Sequence, residues 1–123
     1  MNTYPNKTIL IADDNSSGLR YLQACLQPYK VNTVEATNGK GAIDIYKKKK
    51  IDLTLMDIGM PIIGGFEAAK RILAIDPDAP IIIQSAYSMN NEREESLMLG
   101  AVDYLSKPID RKKLEELLEK YLG

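Results

Sequence analysis

Short apolar runs alternate with amphipathic stretches along the chain, and this alternation predicts its fold. The apolar runs cover residues 9–12, 31–36, 53–56, 81–83 and 102–105. The first, third and fourth runs carry apolar side chains on both faces of a strand, whereas the second alternates. Strands that are apolar on both faces are typical of the centre of a parallel sheet covered by helices on both sides.

A stretch with the apolar spacing of a helix follows each of these runs. The predicted helices cover residues 17–27, 41–48, 65–75, 90–99 and 111–122, and Pro28 is expected to end the first. Strict strand–helix alternation with right-handed crossovers indicates an α/β fold, a doubly wound five-stranded parallel sheet with helices on both faces. The length of 123 residues suits one domain, expected at residues 8–123 after a polar tail at residues 1–7.

Composition narrows the classes of protein to which the chain can belong. Apolar residues make up 45% and charged residues 27%, as in an ordinary folded domain. The formal net charge of −1 gives no basic footprint, so direct nucleic-acid binding is not expected. We expect no membrane insertion, since the longest apolar runs fall far short of about 18 residues. The single cysteine, Cys25, and a polar N-terminus without a signal peptide favour a cytoplasmic location.

Polar side chains stand where the predicted strands end. Asp13 and Asp14 follow the first strand, Asp57 the third, Ser85 the fourth and Lys107 the fifth. The carboxyl ends of parallel strands meet at one edge of a sheet, where ligands of such folds bind. Crowded carboxylates repel one another, and a divalent cation relieves that conflict. The chain has no histidine, so the site must use oxygen ligands, which suit Mg²⁺ or, alternatively, Mn²⁺.

Four short elements at these strand ends resemble the signature elements of response-regulator receiver domains. They are Asp13-Asp14, residues 56–61 (Met-Asp-Ile-Gly-Met-Pro), Ser85-Ala86 and Lys107-Pro108. The resemblance runs from Thr8 to about Leu122. It implies a flavodoxin-like fold of the chemotaxis-regulator type, with strand order 2-1-3-4-5.

The same resemblance implies a role for each acidic position. Asp57 would attack phosphorus and carry the phosphoryl group as an aspartyl phosphate. Asp14, Asp57 and the backbone carbonyl of Gly59 would bind Mg²⁺ directly, and Asp13 would act through a metal-bound water. The chain would then be a phospho-accepting switch that catalyses only its own phosphorylation and slow dephosphorylation. Its phosphodonor would be a histidine kinase or a histidine phosphotransfer domain.

The resemblance also assigns the remaining polar positions. Lys107 would pair with a phosphoryl oxygen, and the Lys107–Pro108 peptide would be cis. Ser85 would move toward the phosphoryl group and Tyr104 would turn inward, which would alter the surface formed by the fourth helix, the fifth strand and the last helix. An output domain or partner would dock on that surface. Gly59 and Tyr87 would flank the path of the hydrolytic water, which leads us to expect slow dephosphorylation.

The sequence departs from the common pattern of this family in three places. Ser85 replaces the commoner threonine, Gly59 has no side chain, and Gly64-Gly65 is expected to give a flexible entry to the third helix. The alternative function is a Mg²⁺-dependent aspartyl-phosphate phosphatase or phosphotransferase acting on a small substrate. Such enzymes need a second acid two residues after the nucleophile, where this chain has Gly59, and a cap region for which 123 residues leave no room.

Overall fold

Five parallel strands alternate with five α-helices in the part of the chain that the structure, a computed structural model, describes, which is residues 2–86 and 91–123. The strands are β1 (Thr8–Ala12), β2 (Asn32–Ala36), β3 (Leu53–Asp57), β4 (Ile81–Ser85) and β5 (Asp103–Ser106). The helices are α1 (Ser16–Leu26), α2 (Gly39–Lys48), α3 (Gly65–Ile75), α4 (Glu92–Leu99) and α5 (Arg111–Leu122). The sheet order β2-β1-β3-β4-β5 confirms the predicted doubly wound topology.

The sheet separates two apolar layers. Ile11 and Leu55 belong to the layer beneath α1 and α5, and Leu10, Met56 and Ile83 belong to the layer beneath α2 and α3. Every residue of β3 and β4 is buried. The central strands are therefore covered on both faces, as their apolar runs predicted.

Several helix boundaries differ from the predicted ones for local reasons. Helix α1 ends at Leu26, and a 3₁₀ turn over Gln27–Tyr29 follows with Pro28 in its first positions. Proline is tolerated there because the first N–H groups of a helical turn need no intrahelical acceptor. Helix α2 begins at Gly39, two residues before its predicted start, because the side chain of Asn38 accepts the Gly41 N–H and caps the helix. The predicted start of the fourth helix, Asn90, lies outside the described residues.

Tyr4, in the polar segment before β1, packs into the core. Its side chain is 7% exposed, and its backbone N–H donates to the Tyr29 carbonyl at 2.7 Å. That contact joins the N-terminal segment to the end of the 3₁₀ turn. Within residues 2–86 and 91–123, no helix combines the length and apolarity needed to cross a bilayer.

Candidate functional site

The predicted site residues meet at the carboxyl edge of the sheet. Asp13, Asp14, Asp57, Ser85 and Lys107 all line a cleft of about 240 Å³. The parallel strands account for this grouping, because each strand delivers its last residues to the same edge. The backbone at Gly59 also lines the cleft.

Three carboxylates crowd the floor and rim of this cleft. Asp13, Asp14 and Asp57 each place one oxygen within 4.8 Å of the others. Asp13 is fully buried and Asp57 is 8% exposed, whereas Asp14 is exposed. Burial raises the pKa of the Asp57 carboxyl; Lys107 opposes the rise, and Asp13 and Asp14 add to it.

Lys107 supplies the positive charge of the cleft. Its Nζ lies 2.7 Å from Asp13 Oδ2 and 3.0 Å from Asp57 Oδ1. Burial disfavours the charged ammonium, but its hydrogen bonds to Asp13 and Asp57 outweigh burial and raise the pKa of Lys107. The Lys107–Pro108 peptide is cis, and the Lys107 N–H donates to the Ser85 carbonyl at 2.8 Å. The ammonium is therefore held between two of the carboxylates.

The oxygen atoms of the cleft fit a hard divalent cation. Asp13 already accepts the Asn15 N–H at Oδ1 and the Lys107 ammonium at Oδ2, which favours an indirect role for this carboxylate. Asp14 is exposed at the rim, and among the described residues no backbone N–H donates to the Gly59 carbonyl. Carboxylate and carbonyl oxygens with room for water are the ligands of Mg²⁺.

Two glycines shape the loop that follows Asp57. Among the described residues, a Cβ built at Gly59 would meet only Asp57 Oδ2, at 4.0 Å, which is ordinary contact. A Cβ at Gly65 would lie 2.1 Å from the Asp57 carbonyl oxygen, which no side chain allows. The lack of a side chain at Gly65 permits close packing of α3 on the end of β3, and the flexible entry to the third helix stays a prediction. Tyr87, which was expected to flank the cleft, lies outside the described residues.

Ser85 and Tyr104 share a carboxylate that the sequence did not reveal. The Ser85 hydroxyl donates to Glu92 Oε1 at 3.0 Å, and the Tyr104 hydroxyl donates to the same oxygen at 3.3 Å. Tyr104 is 5% exposed, and burial raises the pKa of its hydroxyl. An acid in the first turn of a helix is commonly explained by the helix dipole, so the sequence carries no signal for this contact.

Comparison with known sequences shows that the chain is similar to receiver domains over nearly its whole length. The family model described as the response regulator receiver domain matches residues 9–119. The transcriptional regulatory protein ZraR of Escherichia coli (strain K12) is 38% identical over 121 residues, which are 98% of this chain and 27% of ZraR. The chain thus spans about a quarter of the length of that relative.

Solved structures share the fold over nearly the whole chain. The receiver domain of the Saccharomyces cerevisiae response regulator Ssk1, co-crystallised with the histidine phosphotransfer protein Ypd1, superposes with a TM-score of 0.89 and 26% identity, covering 98% of this chain and 92% of that one. The receiver domain of a sensor histidine kinase from Pseudomonas aeruginosa PAO1 gives a TM-score of 0.87 and 28% identity, covering 95% and 98%. That domain holds a magnesium ion in its active-site cleft.

Proposed function

The chain belongs to the response regulator receiver domain family and is a phospho-accepting signalling switch, and we propose that Asp57 is the residue that accepts the phosphoryl group. One observation carries this proposal: the Asp57 carboxylate lines the cleft with Lys107 Nζ 3.0 Å from its Oδ1 and with Asp13 and Asp14 beside it. A carboxylate held at a strand end beside a cation is an oriented oxygen nucleophile.

The reaction is the transfer of a phosphoryl group from nitrogen to oxygen. An Asp57 oxygen forms a bond to the phosphorus of a partner's phosphohistidine, and the P–N bond breaks. The bonding electron pair stays with the imidazole, which takes up a proton from solvent. Hydrolysis of the resulting acyl phosphate returns the carboxylate and inorganic phosphate. Such transfers depend mainly on positioning and on neutralisation of the phosphoryl charge.

Asp14, Asp57 and the Gly59 carbonyl would hold Mg²⁺ directly, with Asp13 acting through a bound water. The ion, when bound, supplies positive charge to the phosphoryl oxygens. Mn²⁺ takes similar oxygen ligands and is the alternative ion. The magnesium in the cleft of the Pseudomonas aeruginosa receiver domain supports this assignment.

Lys107 and Ser85 would bind the phosphoryl group once it is in place. Lys107 would exchange its contact with Asp57 Oδ1 for a phosphoryl oxygen while keeping its contact with the buried Asp13. Ser85 would donate a hydrogen bond from its hydroxyl to a second phosphoryl oxygen. Since Ser85 and Tyr104 share the Glu92 carboxylate, this change would reach the surface formed by α4, β5 and α5. An output domain or a partner protein would read the signal there.

The phosphodonor would be a histidine kinase or a histidine phosphotransfer domain. These 123 residues contain no histidine, so the phosphohistidine would lie outside them. The Ssk1 receiver domain, which shares the fold, was crystallised with a phosphotransfer protein. We place the protein in the cytoplasm, with its receiver domain over residues 8–123 and without direct contact to nucleic acid.

A phosphatase or phosphotransferase acting on small substrates is not favoured. Gly59 stands where such an enzyme needs its second acid, and the family match is to a regulatory domain. The domain would therefore catalyse only its own phosphorylation and the slow loss of that phosphate. Sustained release of phosphate from a small phosphomonoester would support the enzyme instead.

Intact-mass measurement after incubation with acetyl phosphate and Mg²⁺ tests the acceptor. We expect the wild type to gain the mass of one phosphoryl group and Asp57→Asn to gain none. Asp78→Asn, which makes the same chemical change at an exposed position, is the control and should be modified like the wild type. Equal modification of the wild type and Asp57→Asn would exclude Asp57 as the acceptor.

A further inference from the structure

Glu92, the first residue of α4, holds the two hydroxyls of the switch at a single oxygen. Its Oε1 accepts from Ser85 at 3.0 Å and from Tyr104 at 3.3 Å, although the three residues come from three different elements. The backbone of Glu92 is fixed as well, because the buried Ser96 hydroxyl donates to its carbonyl at 2.7 Å. The Glu92 carboxylate is therefore placed by the fold and is not a loose surface charge.

The Ser85 hydroxyl has a single O–H group, so it can donate one full hydrogen bond to one acceptor at a time. In the structure that hydrogen bond is donated to a carboxylate, and hydrogen bonds to ionised acceptors are stronger than bonds between neutral groups. A phosphoryl group on Asp57 would be a second anionic acceptor for the same proton. Glu92 and the phosphoryl group would thus compete for the hydrogen bond from Ser85.

We propose that Glu92 is a positioning residue that holds the Ser85 hydroxyl away from the acceptor site and thereby weakens retention of a phosphoryl group on Asp57. The inference rests on the proposed role of Ser85 at Asp57. When Ser85 leaves, Tyr104 remains as a donor to Glu92, so the start of α4 stays tied to β5 while the Ser85–Glu92 hydrogen bond is lost. Part of the free energy of phosphoryl binding would offset the loss of the Ser85–Glu92 hydrogen bond.

Titration with beryllofluoride at saturating Mg²⁺ measures this competition, since the fluoride complex stands in for the phosphoryl group on an aspartate. Glu92→Ala should bind it about tenfold more tightly than the wild type, because Ser85 no longer has a charged competitor. Glu92→Gln should gain less, since its amide oxygen still accepts a hydrogen bond but carries no charge. Glu94→Ala removes an exposed acid from the same helical turn and should stay within about twofold of the wild type, as expected for a screened surface charge.

A second pair of variants separates positioning from a general loosening of α4. In a Ser85→Ala background, Glu92→Ala should change beryllofluoride affinity by no more than about twofold, because the competing hydroxyl is gone. A full gain that persists without Ser85 would contradict the inference, as would a Glu92→Ala affinity equal to or weaker than that of the wild type. Should Glu92→Ala fail to fold, Glu92→Gln decides by the same comparison. A wild type that does not bind beryllofluoride would contradict the proposed function and this inference with it.

Discussion

Asp57 is the side chain at which function and stability oppose each other. Its carboxyl is almost fully buried beside two other acids, and burial raises its pKa in spite of Lys107. A group whose pKa is raised by folding stabilises the fold while it is protonated, and that contribution is lost as the pH rises through its folded pKa. At neutral pH without metal, ionised Asp57 therefore lowers the free energy of unfolding.

Asp57→Asn should stabilise the metal-free protein. Removing the charge should raise the melting temperature at pH 7 by about 3–6 °C, the change that a gain on the order of 1 kcal/mol produces in a domain of this size. The difference should shrink as the pH falls toward the ordinary pKa of an aspartate, because wild-type Asp57 is then protonated too. Thermal unfolding in EDTA between pH 4 and 8 measures this, with the exposed Asp78→Asn as control. If Asp57→Asn melts below the wild type at pH 7, ionised Asp57 does not lower the free energy of unfolding.

Gly59 is the position where a polar side chain should shorten the lifetime of the phosphorylated form. The wild type should lose its phosphoryl group over a time on the order of minutes to hours, because nothing at residue 59 orients the hydrolytic water. Gly59→Asn should speed the decay, since a Cβ fits there in ordinary contact with Asp57 Oδ2 and the amide can hold a water. Gly59→Ala adds the Cβ without a polar group and should leave the decay rate unchanged. We would follow decay by intact mass, and equal rates for all three proteins would contradict this explanation.

At the scale of elements, the contact between α3 and the end of β3 fixes the wall of the cleft. Gly65 begins α3, and its N–H donates to the Ile58 carbonyl at 3.0 Å. The same residue leaves no room for a Cβ against the Asp57 carbonyl. The backbone that carries the acceptor is thus held from one side by the first turn of a helix.

Two neighbouring glycines allow a matched test of this packing. Gly65→Ala should cost about 2–3 kcal/mol or prevent folding, because its Cβ would overlap the Asp57 backbone. Gly64→Ala should cost at most about 1 kcal/mol, a loss of helix-cap preference, since a Cβ there would lie 3.5 Å from the Ile58 carbonyl. Denaturant unfolding gives both values. Equal costs at the two positions would show that close packing is not what requires glycine at residue 65.

The predicted elements match the structure because both depend on burial, but their ends depend on backbone pairing. Apolar runs predicted each strand. However, β3 ends at Asp57 and β4 at Ser85, and because these residues are polar the apolar pattern does not include them in the strands. The register pairs Asp57 with Gln84 and Ser85 with Ser106, so the ladder of backbone hydrogen bonds extends past the apolar residues. Sequence periodicity reports which side chains are buried, not where a ladder stops.

The site was predictable to the extent that strand order brings its residues together. Asp13, Asp57 and Lys107 each follow or end a strand, so a parallel sheet was enough to group them. The Glu92 contact depended on where α4 begins relative to β4 and β5, which no local pattern encodes. The packing of Tyr4 on the 3₁₀ turn is of the same kind, since it joins two irregular segments far apart along the chain.

For the molecule as a whole, the acidic cleft couples metal binding to folding. An ion that binds only the native state raises its stability in proportion to the logarithm of ion concentration. Millimolar Mg²⁺ should therefore raise the melting temperature of the wild type, and Asp57→Asn should lose most of that gain. NaCl at matched ionic strength is the control, because salt also screens the carboxylates. A shift with NaCl as large as that with Mg²⁺ would contradict a specific metal site.

The central claim is that the phosphoryl group resides on Asp57, and chemical trapping tests it most directly. Borohydride reduces an aspartyl phosphate to homoserine, which marks the position of the acyl phosphate permanently. The wild type is incubated with acetyl phosphate and Mg²⁺ and then reduced with borohydride. Peptide mass spectrometry should find homoserine at residue 57, and only in samples that contained both acetyl phosphate and Mg²⁺. Homoserine at another aspartate, or none in protein that has gained the mass of a phosphoryl group, would contradict the account.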